Sequence, residues 1–285
     1  MTRGYPSPRK RFGQNFLHDQ GTIARILSAV APRRGERLVE IGPGRGAITE
    51  GLLLAAGALD VVELDRDLIE PLRTRLDGLG DLRIHQGDAL AFDLCALAAG
   101  PASLRVVGNL PYNISTPLLF RFLDQAHCIR DLHLMLQREL VDRIVAGPGS
   151  KTYGRLSVMV QTWCEAQCLF RIGPGAFTPA PKVESAFLRL LPFRPIPFSL
   201  DDPGLHGRIV AAAFSQRRKT LRNVLAGLVH PGLLEEVGIA PGRRAETLAV
   251  ADFARLANAI AARRKGDHPI AKTLDSPEID PAETG

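Results

Sequence analysis

The chain has 285 residues, 45% of them hydrophobic and 23% charged, enough apolar content for one large domain or two smaller ones. No apolar run reaches the ~18 residues of a membrane span, and the basic stretch 1–12 leads into no apolar segment, so neither a transmembrane helix nor a secretory signal is expected. The net charge of +6 is localised. Arg3, Arg9, Lys10 and Arg11 lie in residues 1–18 and Arg208, Arg217, Arg218, Lys219 and Arg222 in residues 203–234, with no acid in either segment. Localised basicity suits a polyanion, with solvated faces as the bland alternative. Cys95, Cys128, Cys164 and Cys168 form no C-x-x-C pair, so free thiols in a reducing cytosol are expected rather than a disulfide framework or a zinc site.

In chain order, apolar strand-like runs alternate with helical patterns. Strands are predicted at 37–41, 59–64, 82–85, 104–108 and 131–136. Helices are predicted at 20–30, 47–56, 66–76, 116–124 and 139–146. Such alternation argues for a parallel, doubly wound sheet. A further helix at 156–163 precedes strands at 166–172 and 185–191, expected to form a hairpin-like edge around a Pro-rich loop. Residues 191–203 carry four prolines and read as a linker. Beyond it the pattern is helical only. Phe214, Leu221, Leu225 and Leu228 are predicted on one helical face, with Lys219 and Arg222 to one side. Residues 265–285 read as a disordered tail. The fold class is therefore α/β, a Rossmann-like sheet in residues 1–198 with a small all-α domain in 199–264.

The first strand ends in Glu40-Ile41-Gly42-Pro43-Gly44-Arg45-Gly46. Glycines here allow a tight turn and close approach of a ligand, but the spacing is that of neither a dinucleotide fingerprint nor a P-loop. An acid two residues before Gly42 suits a cationic ligand, and S-adenosylmethionine is one. Glu63 ends the second strand, where a carboxylate can accept from a ribose diol. Asp88 follows the third, where it can accept from an adenine amino group or cap a turn. Asp65 and Asp67 read as solvated first-turn acids. After the fourth strand comes Asn109-Leu110-Pro111-Tyr112. Base amino groups are poor nucleophiles because the nitrogen lone pair is delocalised. The Asn109 side-chain oxygen and the Leu110 carbonyl could hold both N–H bonds of an adenine N6 and turn its lone pair outward. Pro111 stiffens the turn, and Tyr112 offers a face for an extruded base.

These motifs, with Lys10-Arg11-Phe12-Gly13-Gln14-Asn15-Phe16-Leu17, Phe177-Thr178-Pro179-Ala180-Pro181-Lys182-Val183 and residues 214–223, resemble the small-subunit ribosomal RNA adenine-N6 dimethyltransferases of the KsgA type, over residues 9–263. The resemblance implies an S-adenosyl-L-methionine-dependent methyltransferase sheet. It implies dimethylation of two adjacent adenosines near the 3′ end of 16S rRNA in a pre-30S or 30S subunit, by a cytoplasmic monomer without metal. It also implies cofactor contacts from Asn15, Leu17, Gly42, Glu63, Asp88 and Asn109, with Gly44 added by the glycine turn and Gly46 mattering less. Phe177 would be a second aromatic closing on the base opposite Tyr112, or a loop anchor. Arg217, Arg218, Lys219 and Arg222 would grip rRNA. An Erm-type large-subunit methyltransferase and a mainly non-catalytic ribosome-assembly factor are the alternatives.

Overall fold

The computed structural model describes residues 14–229 and 232–266. The basic residues Arg3, Arg9, Lys10 and Arg11 lie outside these, as does the proposed tail beyond Gly266.

The elements follow the predicted alternation. They run β1 (Phe16–Leu17), α1 (Gln20–Val30), β2 (Arg37–Ile41), α2 (Thr49–Ala56), β3 (Ala58–Glu63), α3 (Arg66–Leu76), β4 (Asp81–Gln86), β5 (Leu104–Asn109), α4 (Ser115–Asp124), β6 (Ile129–Gln137), α5 (Arg138–Ile144) and α6 (Arg155–Gln161). Then come β7 (Cys164–Ile172), β8 (Phe177–Thr178), β9 (Ser185–Pro192), α7 (Pro203–Ala213), α8 (Leu221–Val224), α9 (Leu233–Glu236) and α10 (Val250–Gly266). A seven-stranded sheet has the order β4-β3-β2-β5-β6-β9-β7, with β2 to β6 parallel and β9 antiparallel to both β6 and β7. β7 and β9 do pair, but β9 lies inside the sheet and only β7 is an edge. β1 and β8 form a separate antiparallel pair.

Side chains alternate across the sheet with the period of two that strands impose. Val39, Ile41 and Val106 face one core with Leu118, Leu119 and Phe122 of α4. Leu38 and Val107 face the other with Ile26 of α1, Leu52 of α2 and Leu72 of α3. Helices therefore cover both faces, and the chain reverses direction between β2 and β5. Crevices outside strand ends at such a reversal are where ligands bind in open parallel sheets. A third cluster unites Leu205, Val210, Leu221, Phe253 and Leu256 with Tyr153 and Val158. No helix among the described residues is long and apolar enough to cross a membrane.

Three expectations need correction. The basic segment 214–222 is no helix: α7 ends at Ala213, and only the single turn of α8 follows. Phe214 leaves the helix to pack between the rings of Tyr153 and Phe253. The Leu221 and Arg222 N–H groups bond the carbonyls of Arg243 and Pro241 rather than a preceding turn. Leu228, expected in the buried stripe, is 42% exposed. Cys95 and Cys128 are joined in a disulfide, while Cys164 and Cys168 are free. Gln125 at the end of α4 draws the two together by accepting the Leu94 N–H at 2.7 Å, a contact that a separation of 33 residues does not announce. Finally, Asp65 is not solvated. It is 2% exposed and accepts from Gln14 Nε2 at 3.1 Å.

Candidate active site

A cavity of ≈ 360 Å³ opens at the C-terminal ends of β2, β3 and β5 and beyond β4. Asn15, Leu17, Gly42, Gly44, Glu63, Asp88, Asn109, Leu110, Pro111 and Tyr112 all line it. Residues from five separate stretches of sequence thus meet in one place.

The glycine turn makes the floor. Gly42, Gly44 and Gly46 have φ of +66°, +57° and +78°, the left-handed region where a Cβ is costly. A Cβ on Gly44 would stand 3.1 Å from the Phe16 ring, and one on Gly46 would meet Leu72 at 2.7 Å. Gly46, ranked lower from sequence, is therefore as constrained as its neighbours. These turns delay α2 to Thr49, two residues later than the apolar pattern suggests. The turn is hooked to β3 by the Gly42 N–H on the Val62 carbonyl at 2.9 Å.

Two buried carboxyls face the cavity. Glu63 accepts from the Asp65 N–H at 2.8 Å through Oε1 and from the Gly44 N–H at 3.2 Å through Oε2. Each carboxylate oxygen has a second lone pair, so Glu63 fixes the turn and keeps acceptor capacity. Burial raises its pKa against these bonds. Glu40 is 1% exposed, and its Oε2 has no partner among the described residues. Burial pushes its carboxyl up to about 8. A buried carboxyl oxygen without a partner is costly in isolation and is met by a cation or a donor. This is the acid two residues before Gly42 that the sequence suits to a cationic ligand, and it lines the cavity. Asp88 is exposed and accepts the Leu90 N–H at 2.9 Å, so it caps its own turn on the cavity wall.

The Asn109–Tyr112 turn forms the opposite wall. Asn109 donates from Nδ2 to the Asn15 carbonyl at 3.1 Å, an assignment that directs Oδ1 away as an acceptor. The Leu110 N–H continues the sheet onto the Met135 carbonyl at 3.2 Å. The Pro111 carbonyl receives the Ile114 N–H and the Ser115 hydroxyl. The Leu110 carbonyl has no backbone donor among the described residues. Tyr112 is half-buried, and its hydroxyl shares a 2.6 Å hydrogen bond with Ser185 Oγ. Ser185 is fully buried at the start of β9 and pairs in register with Gln137 and Ile172. It locks the ring plane, leaving the ring face as the working part of Tyr112. Sequence reading missed Ser185 because no local pattern links it to a tyrosine 73 positions away.

Phe177 does not line the cavity. It is 2% exposed, opposes Leu17 in the β1–β8 pair and packs into the core with Ile172 and Phe187. Strand pairing turns it inward and its neighbour Thr178 outward. The four basic positions also separate. Arg217 bonds Glu246 at 3.1 Å and the Lys151 carbonyl at 2.5 Å. Arg218, Lys219 and Arg222 are exposed.

Residues 6–262 match the family model described as ribosomal RNA adenine dimethylase. The chain belongs to that family. It is 54% identical over 253 residues to the ribosomal RNA small subunit methyltransferase A of Pseudomonas putida, covering 89% of this chain and 95% of that one. It is also 54% identical over 252 residues to the protein of that name from Methylococcus capsulatus, covering 87% and 96%. In fold it matches a dimethyladenosine transferase from Plasmodium falciparum with a TM-score of 0.76, at 23% identity over 88% of this chain and 98% of that one. The 23S rRNA methyltransferase ErmE matches at 0.70, with 24% identity over 87% and 100%. The two fold matches are alike, so fold alone does not separate the dimethyladenosine transferase from the 23S rRNA methyltransferase.

Proposed function

We propose that this protein dimethylates N6 of two adjacent adenosines near the 3′ end of small-subunit rRNA, within a pre-30S or 30S particle, using S-adenosyl-L-methionine. The observation that carries the reading is the paired acceptor wall, Asn109 Oδ1 fixed by the Nδ2 bond to Asn15 and the adjoining Leu110 carbonyl. Two acceptors on the two N–H bonds of an adenine N6 pull its lone pair out of ring conjugation and aim it into the cavity. The ring of Tyr112, held by Ser185, stacks on the base once it leaves its helix. When bound, S-adenosyl-L-methionine supplies an electrophilic methyl on a sulfonium. The site fits that group. Glu40 offers a buried, unpartnered oxygen to positive charge, Glu63 retains acceptor lone pairs for ribose hydroxyls, and Asp88 reaches the adenine end. Asn15 and Leu17 close the cavity from the β1 side.

No side chain needs to act as a strong base, because the methylated nitrogen is cationic and loses its proton to water. Arg218, Lys219 and Arg222 supply phosphate contacts from the helical part of the chain, and Arg217 holds their loop against Glu246. The test is transfer of labelled methyl from S-adenosyl-L-methionine into undermethylated small subunits, followed by mapping of the modified nucleotides. Label in two adjacent adenosines near the 3′ end supports the reading; label in large subunits only would shift it to the large-subunit class.

A further inference from the structure

The disulfide lies outside the machinery described so far. Cys95 sits in the helical turn Leu94–Leu97, on the segment that runs on from the cavity wall at Asp88–Leu90. Cys128 immediately precedes β6. The two sulfurs differ in access: Cys95 is half-buried, while Cys128 is 4% exposed. On the open side stands His127, exposed, with Nε2 3.4 Å from Cys95 Sγ. On the buried side the Gln125 carbonyl lies 3.2 Å from Cys128 Sγ. The three potential ligand atoms of Cys95, His127 and Cys128 lie within 4.8 Å of one another. With both sulfurs bonded together, however, neither is a thiolate free to bind a metal. Disulfides in proteins of reducing compartments are usually transient.

We propose that Cys95 and Cys128 form a reversible thiol–disulfide site, with Cys95 the attacking thiol, Cys128 the resolving thiol and His127 the base that activates Cys95. A low-molecular-weight disulfide such as glutathione disulfide is the oxidant. Cys95 passes its proton to His127 Nε2, and the thiolate attacks one sulfur of glutathione disulfide, releasing one glutathione thiolate that takes up a proton. Cys128 then loses its proton to water and attacks Cys95 Sγ as its thiolate, breaking the mixed disulfide and releasing the second glutathione as a thiolate that takes up a proton in turn. Two protein thiols are oxidised by two electrons, and one glutathione disulfide becomes two glutathione thiols. The order follows from access, since an external disulfide reaches the half-buried sulfur and not the buried one. An adjacent imidazole favours the thiolate and so raises its reactivity. The other cysteines do not compete. Burial raises the Cys164 thiol to about 12 and also raises Cys168, and neither bonds a histidine among the described residues.

The bond closes a loop around α4 and β5, so reduction lowers stability. Gln125 still holds the segment through Leu94 N–H and the Phe92 carbonyl, so the fold persists without the bond. Reduced, desalted protein is incubated with glutathione disulfide, quenched with an alkylating agent, digested and mapped by mass. The proposal expects a Cys95–Cys128 linked peptide with Cys164 and Cys168 alkylated, reversal by excess glutathione, and a melting temperature lower by roughly 5–10 °C after reduction. In Cys128→Ser, Cys95 should be alkylated about tenfold faster than Cys168, and His127→Ala should remove most of that advantage. Three results overturn it: no linked peptide from the wild-type chain, a bond that glutathione does not reduce, or alkylation of Cys95 that is indifferent to His127.

Discussion

The two ends of the central parallel strands treat buried charge in opposite ways. At the N-terminal end, Arg105 of β5 is 5% exposed and donates to Asp131 through Nε at 3.1 Å, to Glu36 at 2.7 Å and to the Val30 carbonyl at 2.7 Å. Burial alone would raise both acids. The contact with His133 and the hydrogen bonds and charge of Arg105 hold Asp131 below its ordinary value, and the Arg105 guanidinium, the Arg33 backbone N–H and the Arg130 side-chain hydrogen bond hold Glu36 below its own. At the C-terminal end, burial pushes Glu40 and Glu63 up, and no cation offsets it for either among the described residues. One end is a closed electrostatic network that ties β5, β6 and the start of β2 together. The other holds unmet demand for donors and positive charge, as expected of a site awaiting a cationic ligand.

The pH dependence differs in sign accordingly. Depressed acids contribute stability that is present above their unfolded values and lost as pH falls, so the Arg105 end weakens below about pH 4. A raised acid contributes stability that is present below its unfolded value and lost as pH rises. Stability from Glu40 is therefore lost progressively from its ordinary 4.5 up to about 8 and does not return above it.

The largest break is at the closed end. Arg105→Met leaves the buried Asp131 carboxylate without the guanidinium bonded to it and takes one of two from the half-buried Glu36, which keeps Arg130; it is expected to cost about 3–5 kcal/mol in denaturant unfolding at neutral pH. Turnover per folded molecule should be unchanged, because no cavity residue is touched. A loss under about 1 kcal/mol would mean the network is not closed in solution. Next is Asn109→Ala, which removes one acceptor of the paired wall. It should lower single-turnover methyl transfer by about a hundredfold or more with a smaller loss of cofactor affinity. Near-normal turnover would remove Asn109 from its role.

The difference between the ends sharpens with Glu40→Gln. A cationic ligand prefers the ionised carboxylate, whose fraction rises about tenfold per pH unit below a pKa of about 8. Wild-type affinity for S-adenosyl-L-methionine should therefore rise by up to about tenfold per unit between roughly pH 6 and 8, relative to the variant. The ligand's own amino group titrates with both proteins and cancels in the comparison. Equal pH slopes by calorimetry would show that Glu40 does not face the ligand's charge. The smallest effects belong to the exposed cations. Lys219→Ala with Arg222→Ala should flatten the log–log salt dependence of subunit binding by roughly 0.7–0.9 for each phosphate no longer neutralised, with melting temperature unchanged. Arg217→Ala, which breaks the bond to Glu246, should instead lower melting temperature.

Much of this was legible before the structure, because strand–helix alternation and turn motifs are local. Arg37–Ile41, Gln20–Val30 and Arg66–Leu76 form over the predicted residues. The glycine turn, Glu63, Asp88 and Asn109–Tyr112 each follow a strand, and parallel strands bring their ends together. What failed depended on distant partners. The helix expected through residues 214–228 lost its backbone donors to Pro241 and Arg243, far along the chain. Asp65 and Ser185 owe their places to Gln14 and Tyr112. Cys95 found Cys128 through Gln125. No window of sequence contains both halves of any of these pairings.

The central claim is that the paired acceptors at Asn109 and Leu110 act on adenine N6 in the small subunit. Its most direct test is single-turnover transfer of labelled methyl into undermethylated small subunits by wild type and Asn109→Ala, with cofactor affinity measured in parallel. The account predicts N6-dimethyladenosine at two adjacent positions near the 3′ end with wild type, and a rate about a hundredfold lower with the variant at cofactor saturation. Equal rates at saturation, or label at any other atom or subunit, would contradict it.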